Sequence, residues 1–377
     1  MKKYLIIGNG VAGTIAAEII RTNDPDGMVT MFSRESLGFY SRIRLPEFIA
    51  GRVGKSDLII RKDEWYRENR IDLKLATQIV DIDTDRQQVT DHKGNVFDYD
   101  CLLMATGSFP FIPPVEGSTR KNVFGLRTLE DAQNIVKAAE SAENIVAIGG
   151  GLLGLEAAHS LISMGKKPVV VEFFDRLLPR QMDQDGALLL KTMLEKQGFE
   201  FRLGAKTVRI AGDRAVTGVE LESGELLDAD MVLFSAGVRP DLALAEKAGL
   251  KTDMGVIVNS GMQTEIENIY AAGDVAVFEQ TNFCIWPEAN EQGRIAGANM
   301  SGKHEKFSPI VPSNRLKVAG INLASAGDID PENRFESQIE QSADMYRKIV
   351  MKNGKIAGCI MLGNTEGFTQ VVKQMSD

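Results

Sequence analysis

Two copies of one short pattern, 141 residues apart, restrict this chain more than any other feature. The apolar run Tyr4–Ile7 meets Gly8-Asn9-Gly10-Val11-Ala12-Gly13, and the apolar run Ile145–Ile148 meets Gly149-Gly150-Gly151-Leu152-Leu153-Gly154. Each is followed by a helical stretch and then by a second apolar run. In such a GxGxxG turn the first glycine permits the tight reversal and the second lets backbone approach a pyrophosphate. The third lets helix and strand pack closely. The anion then lies at a helix N-terminus, where unbonded N–H groups and the macrodipole favour negative charge. One copy alone is weak evidence, since glycine turns before helices are common. Two copies in the same context imply two dinucleotides.

The copies differ where the second strand ends. Glu172 closes the later one, where a carboxylate can accept from both ribose hydroxyls and repel a 2′-phosphate; Phe173 and Phe174 supply no cation. That reads as an NADH site rather than an NADPH site. In the earlier copy Ser33 holds this place, followed by Arg34 and Glu35. Either Glu35 reaches back to the ribose or Ser33 gives a weaker bond, and Glu35 is the favoured choice.

At 377 residues the chain has room for two or three domains. Its net charge of −9 argues against a surface built for nucleic acid. Cys101, Cys284 and Cys359 show neither CxxC nor CxxxxC spacing. No metal cluster or sequence-local redox disulfide is therefore expected, and a reducing, cytoplasmic setting suits them. No apolar run reaches membrane-span length, and the first strand begins after Lys2 and Lys3, leaving no room for a leader. His92, His159 and His304 are scattered, so no histidine base is expected.

Between the two turns, residues 34–62 carry seven basic and three acidic side chains, a local +4 that suits either a solvated face or the docking of an acidic partner. Leu102–Pro110 runs a strand into the small residues Ala105-Thr106-Gly107, and the prolines of 110–114 mark a domain boundary. A second small-residue crossover, Ser235-Ala236-Gly237, closes the later domain. Thr264–Asp274 ends a strand in Gly273-Asp274, at the sheet edge where ligands of doubly wound folds sit. Trp286–Met300 reads as a helix opening with proline. In the tail, Leu316–Val318, Tyr346–Met351 and Ile356–Leu362 look like strands, the last two joined by Asn353-Gly354.

The motifs GNGVAG, ATGSFP, GGGLLGLE, SAGVRPD and IYAAGD, in this order, resemble the two-dinucleotide FAD/NAD(P)H oxidoreductases over essentially the whole chain. FYSRIRLPEFIAG, LRTLEDA (126–132) and KNGKIAG (352–358) narrow the likeness to NADH:rubredoxin oxidoreductases and the flavoprotein portion of assimilatory nitrite reductase. The resemblance implies an α/β fold: two Rossmann-like three-layer domains, for FAD and NAD, plus a small α+β C-terminal domain. The expected boundaries are 1–111 with 238–305 for FAD, 112–237 for NAD and 306–377 for the tail. It implies FAD contacts at Gly8, Gly10, Ala12, Gly13, Arg34, Glu35, Ile79, Ala105, Thr106, Gly107, Arg127, Gly273 and Asp274, with Glu288 and Ala289 facing flavin and nicotinamide. Gly151, Leu153, Gly154, Glu172 and Gly237 fall to NADH. Arg42 falls where relatives place a cation near flavin N5, and Glu156 matches the glutamate paired with it; these two are the expected catalytic pair.

The implied activity is hydride transfer from NADH to FAD, then single electrons to a small acidic redox protein such as rubredoxin. Disulfide reductases and single-cysteine peroxidases of this superfamily carry cysteine where this chain reads YSRIRL, so thiol chemistry is not expected. The alternatives are a diaphorase component of a nitrite reductase, an NADH oxidase, and an NADH-sensing flavoprotein with slow turnover. No metal, nucleic acid or membrane is expected as a partner, and the oligomeric state is left open.

Overall fold

The structure is a computed structural model that describes residues 1–309 and 313–376. It divides into two compact units. The first comprises Met1–Ser41, Lys55–Phe109 and Val238–Ile310; the second comprises Arg42–Gly54, Pro110–Gly237 and Val311–Asp377.

In the first unit a five-stranded parallel sheet runs in the order Ile269–Ala271, Cys101–Met104, Lys3–Ile7, Met28–Phe32, Ile71–Lys74. Its inner strands are mostly apolar because both faces are covered, the usual condition of parallel sheets. On one face lies the helix Val11–Asn23, against which Trp286–Met300 packs closely. The contact is set by small residues. A Cβ on Gly293 would come 2.4 Å from the Ala12 carbonyl oxygen, and one on Gly297 would come 2.6 Å from that of Ala16. Any larger side chain would push the two helices apart.

The second unit repeats the plan. Its parallel sheet runs Glu200–Arg202, Val169–Val171, Ile145–Ile148, Met231–Phe234, Val123–Gly125. The strand before each glycine turn is central in its sheet.

The same unit carries a five-stranded antiparallel sheet, ordered Ser313–Val318, Ile321–Gly327, Lys355–Leu362, Tyr346–Lys352, Glu336–Gln341. Asn353 and Gly354 take φ of +52° and +76°, the left-handed pair that a two-residue hairpin requires. The helix Phe368–Ser376 covers one face, its Phe368 and Val371 packed on Ala324, Ala326, Cys359 and Met361. The expected tail lacked this helix and the strands Ile321–Gly327 and Glu336–Gln341. The former has small residues in place of large β-formers and the latter is mostly exposed, so neither shows a clear apolar pattern.

Candidate functional site: two dinucleotide cradles

The two glycine turns have closely matching geometry. Gly8 has φ +122° and Gly149 has φ +120°, values open only to glycine. A Cβ on Gly8 would lie 2.0 Å from the Ala105 carbonyl oxygen, and one on Gly149 would lie 2.3 Å from that of Ser235. Each turn is thus pressed against the crossover that leaves the neighbouring strand. A Cβ on Gly13 or Gly154 would sit 2.1 Å from the carbonyl oxygen of Gly8 or Gly149, so the third glycine lets the helix lie against the turn. Ala12, buried beside Gly13, completes the first turn.

The middle glycines face open space. Nothing lies within 4 Å of a Cβ placed on Gly10 or Gly151. These residues are the N-caps of the helices Val11–Asn23 and Leu152–Ser163, and neither helix has a side-chain cap. Two other helices of similar length are capped, although the short helices Asp63–Glu68 and Ala243–Lys247 are not. Leu129–Ser141 has a Thr128–Asp131 capping box and Gln184–Glu195 has Asp183 on the Gly186 amide. The first cradle also contains a buried donor without an acceptor, Nδ2 of Asn9, whose Oδ1 receives the Tyr66 hydroxyl at 2.9 Å. Uncapped N–H groups, space beside the middle glycine and a spare donor fit a bound pyrophosphate at each helix start.

The ends of the second strands differ. The amides of Gly8 and Gly149 reach Phe32 and Val171, and the amides of Ser33 and Glu172 reach Lys74 and Arg202. Ser33 and Glu172 therefore occupy the same place in their sheets. Glu172 is 7% exposed, accepting the Gly150 amide on Oε2 at 2.5 Å and the Phe174 amide on Oε1 at 2.8 Å. Those bonds fix its rotamer and leave further lone-pair directions on both oxygens. Ser33 is buried without such a role, and Glu35 receives the Tyr40 hydroxyl on Oε2 at 2.5 Å.

Other expected FAD residues converge in the first unit. Thr106 donates to the Asp241 carbonyl at 3.2 Å, Gly107 accepts the Asp241 amide, and Arg34 pairs with the Asp241 carboxylate at 3.4 Å. Ala105 is buried behind Gly8, and Ile79 is buried at the start of the strand Ile79–Asp83. Gly273, φ +80°, lies against Ala12 and donates to Oε1 of the buried Gln292 at 2.8 Å. Asp274 accepts the Ser108 hydroxyl at 2.7 Å, and its carbonyl accepts Asn282 Nδ2 at 2.8 Å. Glu288 and Ala289 are buried in the first turn of Trp286–Met300. Sequence reasoning missed Ser108, Asn282 and Gln292, which hold this carboxylate turn. A lone polar residue near a glycine carries no pattern that would single it out.

In the second unit Leu153 is half-buried in the cradle helix, and Gly237, φ +97°, accepts the Phe111 amide. Arg127 precedes Leu129–Ser141, its amide donating to Asp131. Arg42 is half-buried at the start of the short helix Arg42–Arg44. Glu156, on the cradle helix, accepts the Ala319 amide on Oε1 at 2.8 Å. One turn on, His159 is held below its usual range by burial; the Glu156 charge works against this shift and that of Arg52 adds to it. In the basic stretch, Arg61 pairs with Glu18 at 2.9 Å and Arg34 with Asp241 at 3.4 Å, carboxylates outside the stretch, so its field is weaker than the local +4 suggests.

The family profile described as pyridine nucleotide-disulphide oxidoreductase matches residues 2–293, and that described as rubredoxin NAD+ reductase C-terminal domain matches 312–377. The chain belongs to the pyridine nucleotide-disulphide oxidoreductase family. It is 36% identical to the assimilatory nitrate reductase electron transfer subunit of Bacillus subtilis over 97% of its length, and spans 48% of that relative. It is 32% identical to the NADH-rubredoxin oxidoreductase of Clostridium acetobutylicum, covering 98% of this chain and 93% of that one. The crystal structure of the Clostridium oxidoreductase superposes with a TM-score of 0.85 at 31% identity, covering 99% and 94% of the two chains. No described helix is long and apolar enough to cross a membrane.

Proposed function

We propose that this protein oxidises NADH and delivers the electrons singly to a small acidic iron–sulfur carrier of the rubredoxin kind, in the cytoplasm. The observation that carries this reading is the end-to-end likeness to the Clostridium oxidoreductase, C-terminal domain included, in a chain without cysteine between Ser33 and Ala50. FAD, when bound, supplies the chemistry that joins a two-electron donor to a one-electron acceptor. The protein's part is to hold and orient. The uncapped helix starts at Gly10 and Gly151 bind the two pyrophosphates. Glu172 accepts from the ribose of NADH and excludes a 2′-phosphate, while Asp274, fixed by Ser108, accepts from the sugar-like chain of FAD. Arg42 offsets the negative charge gained on reduction, and Glu156 orients that cation.

A second reading, an electron-transfer subunit feeding a separate nitrate- or nitrite-reducing module, is favoured by the likeness to the Bacillus subunit. Steady-state NADH oxidation with rubredoxin, ferredoxin, O₂ and nitrite as acceptors separates the two. Rubredoxin should be reduced fastest, at a rate that falls as salt rises. Equal or faster turnover with O₂ or ferredoxin would remove rubredoxin from the account.

A further inference from the structure

The tip of a hairpin is normally its most exposed part, yet where Ser313–Val318 turns into Ile321–Gly327 only Gly320 is exposed. Val318 is 0% exposed and Ala319 4%. Both belong to one apolar cluster with Leu155 and Ala158 of the cradle helix Leu152–Ser163. Ala319 and Gly320 have φ of +47° and +84°, the two-residue turn that Asn-Gly would adopt with less strain. In that conformation the Ala319 N–H meets Oε1 of Glu156 at 2.8 Å.

A second polar anchor holds the same C-terminal sheet in register. Lys348, 0% exposed, places its ammonium 3.1 Å from Oδ2 of Asp183, 2.8 Å from the Asp330 carbonyl and 2.6 Å from Oδ1 of Asn333. Tyr346 donates to the same Asp183 oxygen at 2.6 Å, while Oδ1 of Asp183 caps the helix Gln184–Glu195 through the Gly186 amide. A buried, fully bonded ion pair tolerates little displacement, since sliding either partner leaves a charge without its bonds. The C-terminal sheet is thus fixed to the two helices that follow the second glycine turn, by Asp183 on one and Glu156 on the other.

From this we infer that the C-terminal domain is a positioning element of the NADH-binding unit: the backbone N–H of Ala319 sets the carboxylate of Glu156, and the Asp183–Lys348–Tyr346 cluster holds that N–H in place. The inference rests on the reading that Glu156 works at the reacting end of NADH. His159, on the same helix, feels the charge of that carboxylate and that of Arg52. A charge-assisted bond from a rigid backbone donor selects one rotamer of Glu156. The tail contributes through its main chain.

The test deletes only the N–H, by placing lactic acid at position 319 so that the amide becomes an ester. In the FAD-loaded enzyme, the rate of flavin reduction by NADH should fall about tenfold, the factor associated with one hydrogen bond to a charged group, at unchanged NADH affinity. The same ester in a Glu156→Ala background should cost nothing more. Should the ester variant not fold, Glu156→Asp, one methylene shorter, gives a second route. Hydrogen exchange at the Ala319 amide should quicken at least tenfold in Glu156→Asp and Glu156→Ala, whatever their activity. If Glu156→Gln slows flavin reduction but the ester does not, Glu156 works without the tether and the inference falls. If neither slows it while exchange at Ala319 still responds to Glu156→Ala, the contact is a structural anchor only. The reading of Glu156 then falls together with the inference.

Discussion

The two glycine cradles have nearly the same backbone and different side chains at the end of the second strand. Gly8 and Gly149 agree in φ to within 2°, and each is pressed against the carbonyl of its neighbouring crossover. Ser33 and Glu172 then sit in the same register with different chemistry. Glu172 is locked by two amides, whereas Glu35, two residues beyond Ser33, has its carboxylate bonded to Tyr40. A pyrophosphate is held by main-chain donors, and their geometry admits little variation. On the proposed reading, which dinucleotide is held is decided by one side chain a strand away.

The largest expected effects test whether the cradles are independent. Valine at Gly8 or Gly149 adds left-handed strain to overlap with a backbone oxygen, together costing about 3 kcal/mol or more at that turn. Gly8→Val should yield a protein without bound flavin, read from its visible absorbance per chain. Gly149→Val should keep its flavin yet be reduced by NADH at least about a hundredfold more slowly, the kinetic equivalent of about 3 kcal/mol. Loss of flavin in both variants would mean that the turns do not serve separate ligands.

A smaller effect bears on the first cradle. Glu35→Ala frees the Tyr40 hydroxyl and removes the carboxylate proposed for the ribose. FAD affinity should drop by about 1 kcal/mol, some fivefold, measured by equilibrium titration of the apoprotein. An unchanged affinity would give the ribose contact to Ser33.

The smallest concerns a group that only the second cradle helix carries. Because burial holds His159 below its ordinary value of 6.5, the unfolded chain takes up a proton that the folded chain refuses. Stability contributed by the neutral ring is complete above about pH 6.5 and declines as pH falls toward the lowered folded value. Melting temperature between pH 5 and 8 should therefore fall on the acid side, and His159→Gln should flatten that slope. An identical slope in the variant would place the acid sensitivity elsewhere.

Much of this was legible in the residues because it depends on local steric rules. One glycine turn before a helix is common, but two copies at the same offsets in the same context made both cradles readable. The strand Ile145–Ile148 and the helix Trp286–Met300 have the limits their patterns suggest. What escaped depends on long-range contact. Ser108 and Gln292 matter only because folding brings them to Asp274 and Gly273. The Glu156–Ala319 bond joins residues 163 apart through a backbone N–H, a donor that every residue except proline possesses. The Lys348–Asp183 pair is hidden likewise, since a lysine in a strand reads as an exposed residue until its burial is seen.

The central claim is that Glu172 makes the second cradle an NADH site. Anaerobic stopped-flow reduction of the bound flavin by NADH and by NADPH, in the wild type and in Glu172→Gln, tests it most directly. The glutamine keeps the shape and one acceptor oxygen while removing the charge that opposes a 2′-phosphate. The wild type should favour NADH strongly, and the variant should lose at least about tenfold of that preference, the factor expected for one charge-dependent contact. A ratio of NADH to NADPH rates that does not change between the two proteins would contradict the account.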